Sequence, residues 1–280
     1  MKGRTILVTG ATDGLGRGVA ERLAADAATV LLHGRDPERL AATKAGIRQA
    51  TGNDHLHTYR ADLADLSQVH GLANQIKSEH DHLHVLISNA GIGSGEPDGR
   101  ERRTSVDGHE LRFAVNYLAG FLLTAELLPL ITASAPARIV YVASLGQQAL
   151  DFDDVMLERG YSGTRAYAQS KLAQITAAME LSERLRGTGV TVNSLHPSTY
   201  MPTKMVMHEI GRSVDSLEDG VSATVRLATD RALDDVTGRF FDRQRESRAQ
   251  RQAYDPEARR RLWDLSLTLT GAPDIPSPAR

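Results

Sequence analysis

Tyr167 and Lys171, in the stretch YAQSK, stand four residues apart and therefore on one face of a helix. A free tyrosine ionises near pH ~10 and is almost wholly protonated at neutral pH. An ammonium within reach favours the phenolate and lowers that value by roughly 1–3 pKa units. A lowering of about three units corresponds to about 4 kcal/mol between protonation states, enough to poise a phenol as general acid and base. Taken alone, the spacing fits an exposed helical pair equally well. Its meaning depends on what the rest of the chain places beside it.

A second chemical signal lies near the amino terminus. TGATDGLGRG (Thr9–Gly18) follows the apolar run Ile6-Leu7-Val8 and precedes the helical pattern GVAERLAA. A turn from a parallel strand into a helix aims the first N–H groups of the helix, and the positive end of its dipole, at an anion. Gly10, Gly14 and Gly16 would let a pyrophosphate approach the backbone. Their Gly-x-x-x-Gly-x-Gly spacing differs from the dinucleotide fingerprint Gly-x-Gly-x-x-Gly, and a tight turn with close helix packing also fits it. If a dinucleotide binds there, the second strand ends against its adenosine ribose, where an acid selects the 2′-hydroxyl and an arginine a 2′-phosphate. That strand ends at His33 and is followed by Gly34, Arg35 and Asp36. Asp36 precedes Pro37 and is read as a helix cap. Gly34 has no carboxylate, and Arg35 can pair a phosphate bidentately. NADP(H) is therefore favoured, with NAD(H) as the alternative because Asp13 adds negative charge. His33 is read as an ordinary strand-end residue.

Both signals need a scaffold, and the chain alternates short apolar runs with helical stretches. The runs are TILVT (5–9), TVLLH (29–33), LHTYRA (56–61), HVLISN (84–89), RIVYVAS (138–144) and TVNSLH (191–196). Helical periodicity covers Gly16–Ala25, Pro37–Thr51, Leu66–Glu79, Gly108–Leu130 and Ala166–Arg186. Such alternation implies a parallel sheet, and near-continuous apolar strands imply that both its faces are covered. The expected fold is a single α/β domain over 1–280, a doubly wound, three-layer α/β/α sandwich. Its cofactor-binding part spans about 1–145 and its catalytic and substrate part about 146–280. Residues 91–108 read as an exposed excursion, and 145–165 as a connection longer than a turn. A last helix from Pro256 to about 268 follows the Asp255 cap, with Trp263 and Leu267 packing it on the body or over the active site.

Composition narrows the classes further. The net charge of −2 makes a nucleic-acid partner unexpected, and the absence of cysteine excludes thiol chemistry and disulfides. The locally basic segment Arg243–Arg261 reads as a solvated helix face. The stretch Val115–Ile131 carries Asn116, Glu126 and Pro129 and reads as a buried helix, not a membrane span. Without signal-peptide zones at its start, the chain is expected in the cytoplasm.

Together these features resemble the short-chain dehydrogenase/reductase family over nearly the whole length. Thr9-Gly10-x-x-x-Gly14-x-Gly16 matches its cofactor turn, and Ser88-Asn89-Ala90-Gly91 its fourth-strand element. Asn116, Ser144, Tyr167 and Lys171 fall in the order of its catalytic tetrad. DGHELRFAVNYL and the tail AYDPEARRRLWDLS resemble the retinol-dehydrogenase-like branch. The resemblance implies a Rossmann-type fold and a cofactor bed of Thr9, Gly10, Thr12, Asp13, Gly14, Leu15, Gly16, Arg35, Asp62, Leu63, Asn89, Ala90 and Gly91. Pro197, Thr199 and Thr203 would flank the nicotinamide, with Tyr167 and Lys171 reaching it. It implies that Tyr167 exchanges a proton with the substrate oxygen, aided by the positive ring of oxidised nicotinamide, and that Ser144 hydrogen-bonds the same oxygen. Lys171 would acidify the tyrosine and bind the nicotinamide ribose, and Asn116 would hold a water linking Lys171 to solvent. Three departures stand out: Ser88 for a second asparagine, Ser198 for the glycine usual after proline, and a stretched Ser144–Tyr167 separation.

The activity so implied is NADPH-dependent reduction of a small-to-medium apolar ketone or aldehyde, or oxidation of an alcohol. A non-catalytic NADP-binding redox sensor or interaction protein is the alternative reading. Residues 147–164 and 200–213 are expected to wall the substrate. Met201, Met205 and Met207 suit an adaptable apolar lining or core packing alike. Many relatives form homodimers or homotetramers, and the last helix would cover the usual assembly surface.

Overall fold

The computed structural model of the chain describes residues 1–95, 97–203, 206–207 and 211–275. Its centre is one eight-stranded sheet. The strands are β1 (Thr5–Val8), β2 (Thr29–Gly34), β3 (Leu56–Arg60), β4 (Val85–Ser88), β5 (Ala137–Val142), β6 (Val190–His196), β7 (Phe240–Asp242) and β8 (Arg245–Ser247). They lie in the order 3-2-1-4-5-6-7-8, all parallel except the β7–β8 hairpin. Register follows the apolar residues: Leu7 sits opposite Leu31 and Leu86.

Successive strand residues point to opposite faces, and here both faces are apolar. Ile6, Val8, Val30 and Leu32 join a core with α1 (Gly14–Ala25), α2 (Pro37–Thr51) and α6 (Leu217–Thr229). Leu7, Leu31 and Ile139 join the opposite core with α3 (Leu66–Glu79), α4 (Ala119–Ala133), α5 (Gly163–Arg184) and α7 (Pro256–Thr270). Short-range chemistry starts these helices. Asp36, Asp65 and Asp255 accept backbone N–H groups as N-caps, and Ser216 with Asp219 forms a capping box on α6.

Six of the strands match the sequence reading within a residue or two. Strands β7 and β8 were not expected, since each has three residues and the buried pair Phe240–Phe241 is too short a run between Arg239 and Asp242 to mark a strand. Residues Arg243–Arg261, expected as one solvated helix face, instead form the hairpin turn, β8, a 3-10 turn (Arg251–Tyr254) and the start of α7. The helix expected from Gly108 begins after Glu110. Gly108 takes a left-handed φ of +82° inside a turn closed by a Thr104–Glu110 bridge, which holds the chain out of helical geometry.

The greasy helix reaches 21 residues, Phe113–Ala133, opening with a π-turn at Phe113–Leu118. It is long and apolar enough to cross a membrane, but 72% of its most apolar 18-residue stretch is buried in this fold, as befits a core helix. Trp263 of α7 stacks edge-on against Phe121 at 5.0 Å and carries the Arg184 guanidinium 4.2 Å above its ring. The last helix therefore packs on the body through α4 and α5. Helix α5 is buried on every side from Ala166 to Ser182, Tyr167 alone being half-buried.

Candidate active site

Strand order reverses between β1 and β4, so the connections leaving these strands part and open a crevice at their carboxyl ends. The residues singled out from the sequence follow β1, β2, β3, β4, β5 and β6 at that edge.

The turn after β1 is built for close approach. Gly10 has φ +66°, and a Cβ there would lie 2.9 Å from Ala90 Cα; a Cβ on Gly16 would lie 2.2 Å from Gly10 O. Thr9 Oγ1 accepts the N–H groups of Asn89 and Ala90, and Asn89 Nδ2 donates to Thr9 O at 2.8 Å. Asn89 thus locks the turn to β4 with its amide. A Cβ on Gly14 would lie 3.0 Å from Thr203 Cγ2, so Thr203 faces the first turn of α1. Asp13 caps α1 and pairs with Arg39 at 2.8 Å, which offsets the negative charge noted there. Thr12 packs where a side chain on Gly34 would otherwise be. Arg35 is exposed beyond β2, while Asp36 Oδ1 is committed to the N–H groups of Glu38 and Arg39. Asp62 and the buried Leu63 follow β3, with the Asp62 carboxylate accepting Ala64 N–H. These backbone cradles fit the pyrophosphate and ribose of a nicotinamide dinucleotide.

His33 does more than end a strand. Its Nδ1 accepts Gly10 N–H at 3.2 Å, which leaves Nε2 to donate to Ala61 O at 3.2 Å. Burial pushes the imidazole down to about 4, so it is neutral at physiological pH. A free histidine ionises near 6.5, so the unfolded chain binds a proton that the native chain refuses between those values. The native state keeps this contribution above pH 6.5 and loses it as pH falls towards 4. Denaturation of wild type and His33→Gln is expected to show a gap narrowing by about 2 kcal/mol between pH 7.5 and 5. Parallel pH dependences would refute the assignment.

The catalytic candidates converge at the other end. Ser144 follows β5, and Gly146 N donates to its Oγ at 3.0 Å. A Cβ on Gly146 would lie 3.5 Å from Ser144 Oγ and 3.7 Å from Tyr167 Cε1, which places the serine and the tyrosine ring around one point. Tyr167 is half-buried. Lys171 Nζ lies 5.6 Å from the Tyr167 ring centroid. It donates to Val142 O and Gln174 Oε1, both at 3.0 Å, and burial pushes it down to about 8. A Cβ on Gly91 would lie 3.1 Å from Asn116 Oδ1 and 3.6 Å from Lys171 Nζ, so those three positions also meet.

Asn116 sits in the π-turn, a distortion that recurs at functional sites. Its Oδ1 accepts Ile92 N–H at 2.8 Å, and its Nδ2 donates to Ile92 O and Ser170 Oγ. The Asn116 side chain therefore pins the loop after β4 to α5. That loop is less free than an exposed excursion. The buried Arg112 guanidinium donates to Gly93 O, Ser94 O and Tyr161 Oη, joining it to the connection before α5. Glu110, equally buried, faces Arg112 at 3.7 Å.

After β6, Pro197 and Ser198 are buried. Ser198 Oγ donates to Asp215 Oδ2 at 3.0 Å, so the serine that replaces glycine turns its side chain to a carboxylate. Thr199 N–H donates to the same oxygen at 2.8 Å, and its hydroxyl meets His196 Nε2 at 3.1 Å. The Arg243 guanidinium, then the Thr199 N–H, hold Asp215 down to about 2. Met201 is buried and Met207 half exposed; Met205 lies outside the described residues.

Gly146, Gln174, Arg39, Arg112, Asp215 and Arg243 escaped the sequence reading. Gln174, one turn beyond Lys171, and Gly146, two residues after Ser144, have local partners. Arg39, Arg112, Asp215 and Arg243 act on partners remote in sequence.

Residues 4–211 match the short chain dehydrogenase family. Retinol dehydrogenase 13 of Homo sapiens is 37% identical, over 98% of this chain and 87% of that one. Retinol dehydrogenase 11 of Homo sapiens is 34% identical over 98% and 87%. Among solved structures, one from Mycobacterium paratuberculosis superposes with TM-score 0.79 at 29% identity, covering 98% of this chain and 96% of that one. A short chain dehydrogenase from Shigella flexneri, complexed with NADP, gives TM-score 0.70 at 26% identity over 87% and 98%. With the fold, the glycine turn and the Ser144–Tyr167–Lys171 cluster, these likenesses make the chain a member of the short-chain dehydrogenase/reductase family, in its retinol-dehydrogenase-like branch, and an NAD(P)-dependent oxidoreductase of alcohol and carbonyl groups.

Proposed function

We propose that the chain interconverts an apolar ketone or aldehyde and its alcohol with NADP(H), using Tyr167 as general acid and base. The observation that carries this reading is the placement of Ser144 and Tyr167 around one accessible point, with the buried Lys171 cation beside the ring. The nicotinamide, when bound, supplies or accepts hydride at its C4. The remaining chemistry belongs to the side chains. As negative charge grows on the substrate oxygen, Tyr167 delivers its hydroxyl proton there and Ser144 Oγ donates a hydrogen bond to it. In the oxidative direction Tyr167 takes the alcohol proton. Lys171 favours the phenolate, and its tethers to Val142 O and Gln174 Oε1 hold the ammonium near the ring.

The preference for the phosphorylated cofactor rests on charge. Asp36 is spent on capping, Asp13 is paired with Arg39, and Arg35 stands exposed just beyond β2, free of a carboxylate neighbour committed to the ribose. The NADP complex of the Shigella flexneri relative supports the same choice, and the names of the retinol dehydrogenases support an apolar alcohol or aldehyde as partner. Titration of NADPH and NADH into wild type and Arg35→Ala tests it. Loss of a charged phosphate contact is expected to weaken NADPH binding about tenfold or more while leaving NADH nearly unchanged. Equal weakening of both would remove Arg35 from the 2′-phosphate. Oxidation of NADPH by a panel of apolar aldehydes and ketones tests the reaction.

A further inference from the structure

The loop after β6 is held from behind by a residue pair that belongs to neither the glycine turn nor the catalytic cluster. Asp215 Oδ2 accepts four hydrogen bonds: from Ser198 Oγ, from Thr199 N–H, and from Arg243 Nε and Nη2 at 3.2 and 2.6 Å. The backbone repeats the tie. Asp215 N–H donates to Thr199 O at 3.1 Å and Val214 N–H to Tyr200 O at 3.0 Å, while Arg243 N–H donates to His196 O at 2.7 Å. Arg243 Nη2 also reaches Thr199 Oγ1 at 3.4 Å. The residues joined are 28 and 16 positions apart in sequence.

Arg243 occupies the β7–β8 turn with φ +54°. A side chain disfavours that backbone and glycine suits it. The arginine thus stands against local backbone preference, and its guanidinium is engaged with Asp215. Ser198 fits the same account, since glycine at that position would leave Asp215 one donor fewer.

We propose that Asp215 and Arg243 are positioning residues: a clamp that fixes the backbone of Pro197–Thr199 and so sets the affinity for the dinucleotide, a role that rests on the cofactor reading above. A preorganised loop spares the ordering cost that binding would otherwise carry. Neither side chain exchanges protons or hydride with the substrate.

Arg243→Gly is the decisive variant, because it removes the guanidinium and relieves the backbone, so folding is preserved. Two measurements separate the clamp from the cofactor reading. The first, amide hydrogen exchange at Thr199 and Asp215 without any nucleotide, is expected to accelerate about tenfold or more in Arg243→Gly and in Asp215→Ala, the equivalent of one charge-assisted hydrogen bond. Unchanged exchange overturns the clamp whatever the cofactor does. The second is NADPH and NADH binding by fluorescence. Both dissociation constants are expected to rise about tenfold with turnover at saturating cofactor preserved, and Arg243→Lys to recover part of the loss. Faster exchange with unaltered binding overturns the link to affinity. Failure of wild type to bind either dinucleotide overturns the cofactor reading, and with it that link, while the exchange result still decides the clamp.

Discussion

Tyr167→Phe is expected to lower turnover about 10³-fold, about 4 kcal/mol of barrier, while leaving cofactor affinity nearly unchanged. The substitution keeps the ring that packs 5.6 Å from Lys171 Nζ and removes only the hydroxyl. Because that side chain is half-buried at the crevice, the fold should tolerate the change. The loss belongs in the proton-transfer step, so it should appear equally in kcat and kcat/KM. NADPH oxidation with a reactive apolar aldehyde, followed in single turnover, is the measurement. Equal rates in the two proteins would reject Tyr167 as the acid, and with it the assigned chemistry.

The second large effect concerns Lys171, where activity and stability are expected to move apart. Burial lowers its ammonium from 10.5 to about 8, so the native state binds that proton less tightly than the unfolded chain does. Below pH 8 both states are protonated and the native state bears a constant cost of about 3 kcal/mol. Between 8 and 10.5 the native lysine gives up its proton first, and stability rises with pH across that window. Lys171→Met lacks this dependence. The difference in unfolding free energy, wild type minus variant, should therefore shift in favour of wild type by about 2 kcal/mol from pH 7 to 10. Turnover at pH 7, where Lys171 is charged, should fall at least about 10²-fold in the variant, since the tyrosine ring loses the cation beside it. Chemical denaturation at the two pH values reads the first effect. Stability curves that run parallel would show that the ammonium is not held at the expense of the fold. The hydrogen bonds to Val142 O and Gln174 Oε1 explain why the cation stays beside the ring despite its burial.

The His33 titration has the same origin with the charge reversed in consequence. A buried imidazole that stays neutral supports the glycine turn, whereas the buried Lys171 ammonium is held at a cost to stability, as the proposed role beside Tyr167 requires.

The chain's local chemistry could be read without coordinates. The turn Thr9–Gly16, the caps at Asp36 and Asp255, the six longer strands and the Tyr167–Lys171 pair each depend on neighbours within a few positions, and periodicity reports them directly. Strands β7 and β8 stayed hidden because three-residue elements carry too little pattern, and their charged residues look like a solvated helix. What the tertiary structure decided is of another kind. It made His33 a bridge between the glycine turn and Ala61 just past β3, buried Lys171 deeply enough to shift its ionisation, and brought Ser198 and Arg243 to one oxygen atom of Asp215. Burial and charge pairing depend on distances between segments far apart along the chain, which sequence spacing does not specify and packing does.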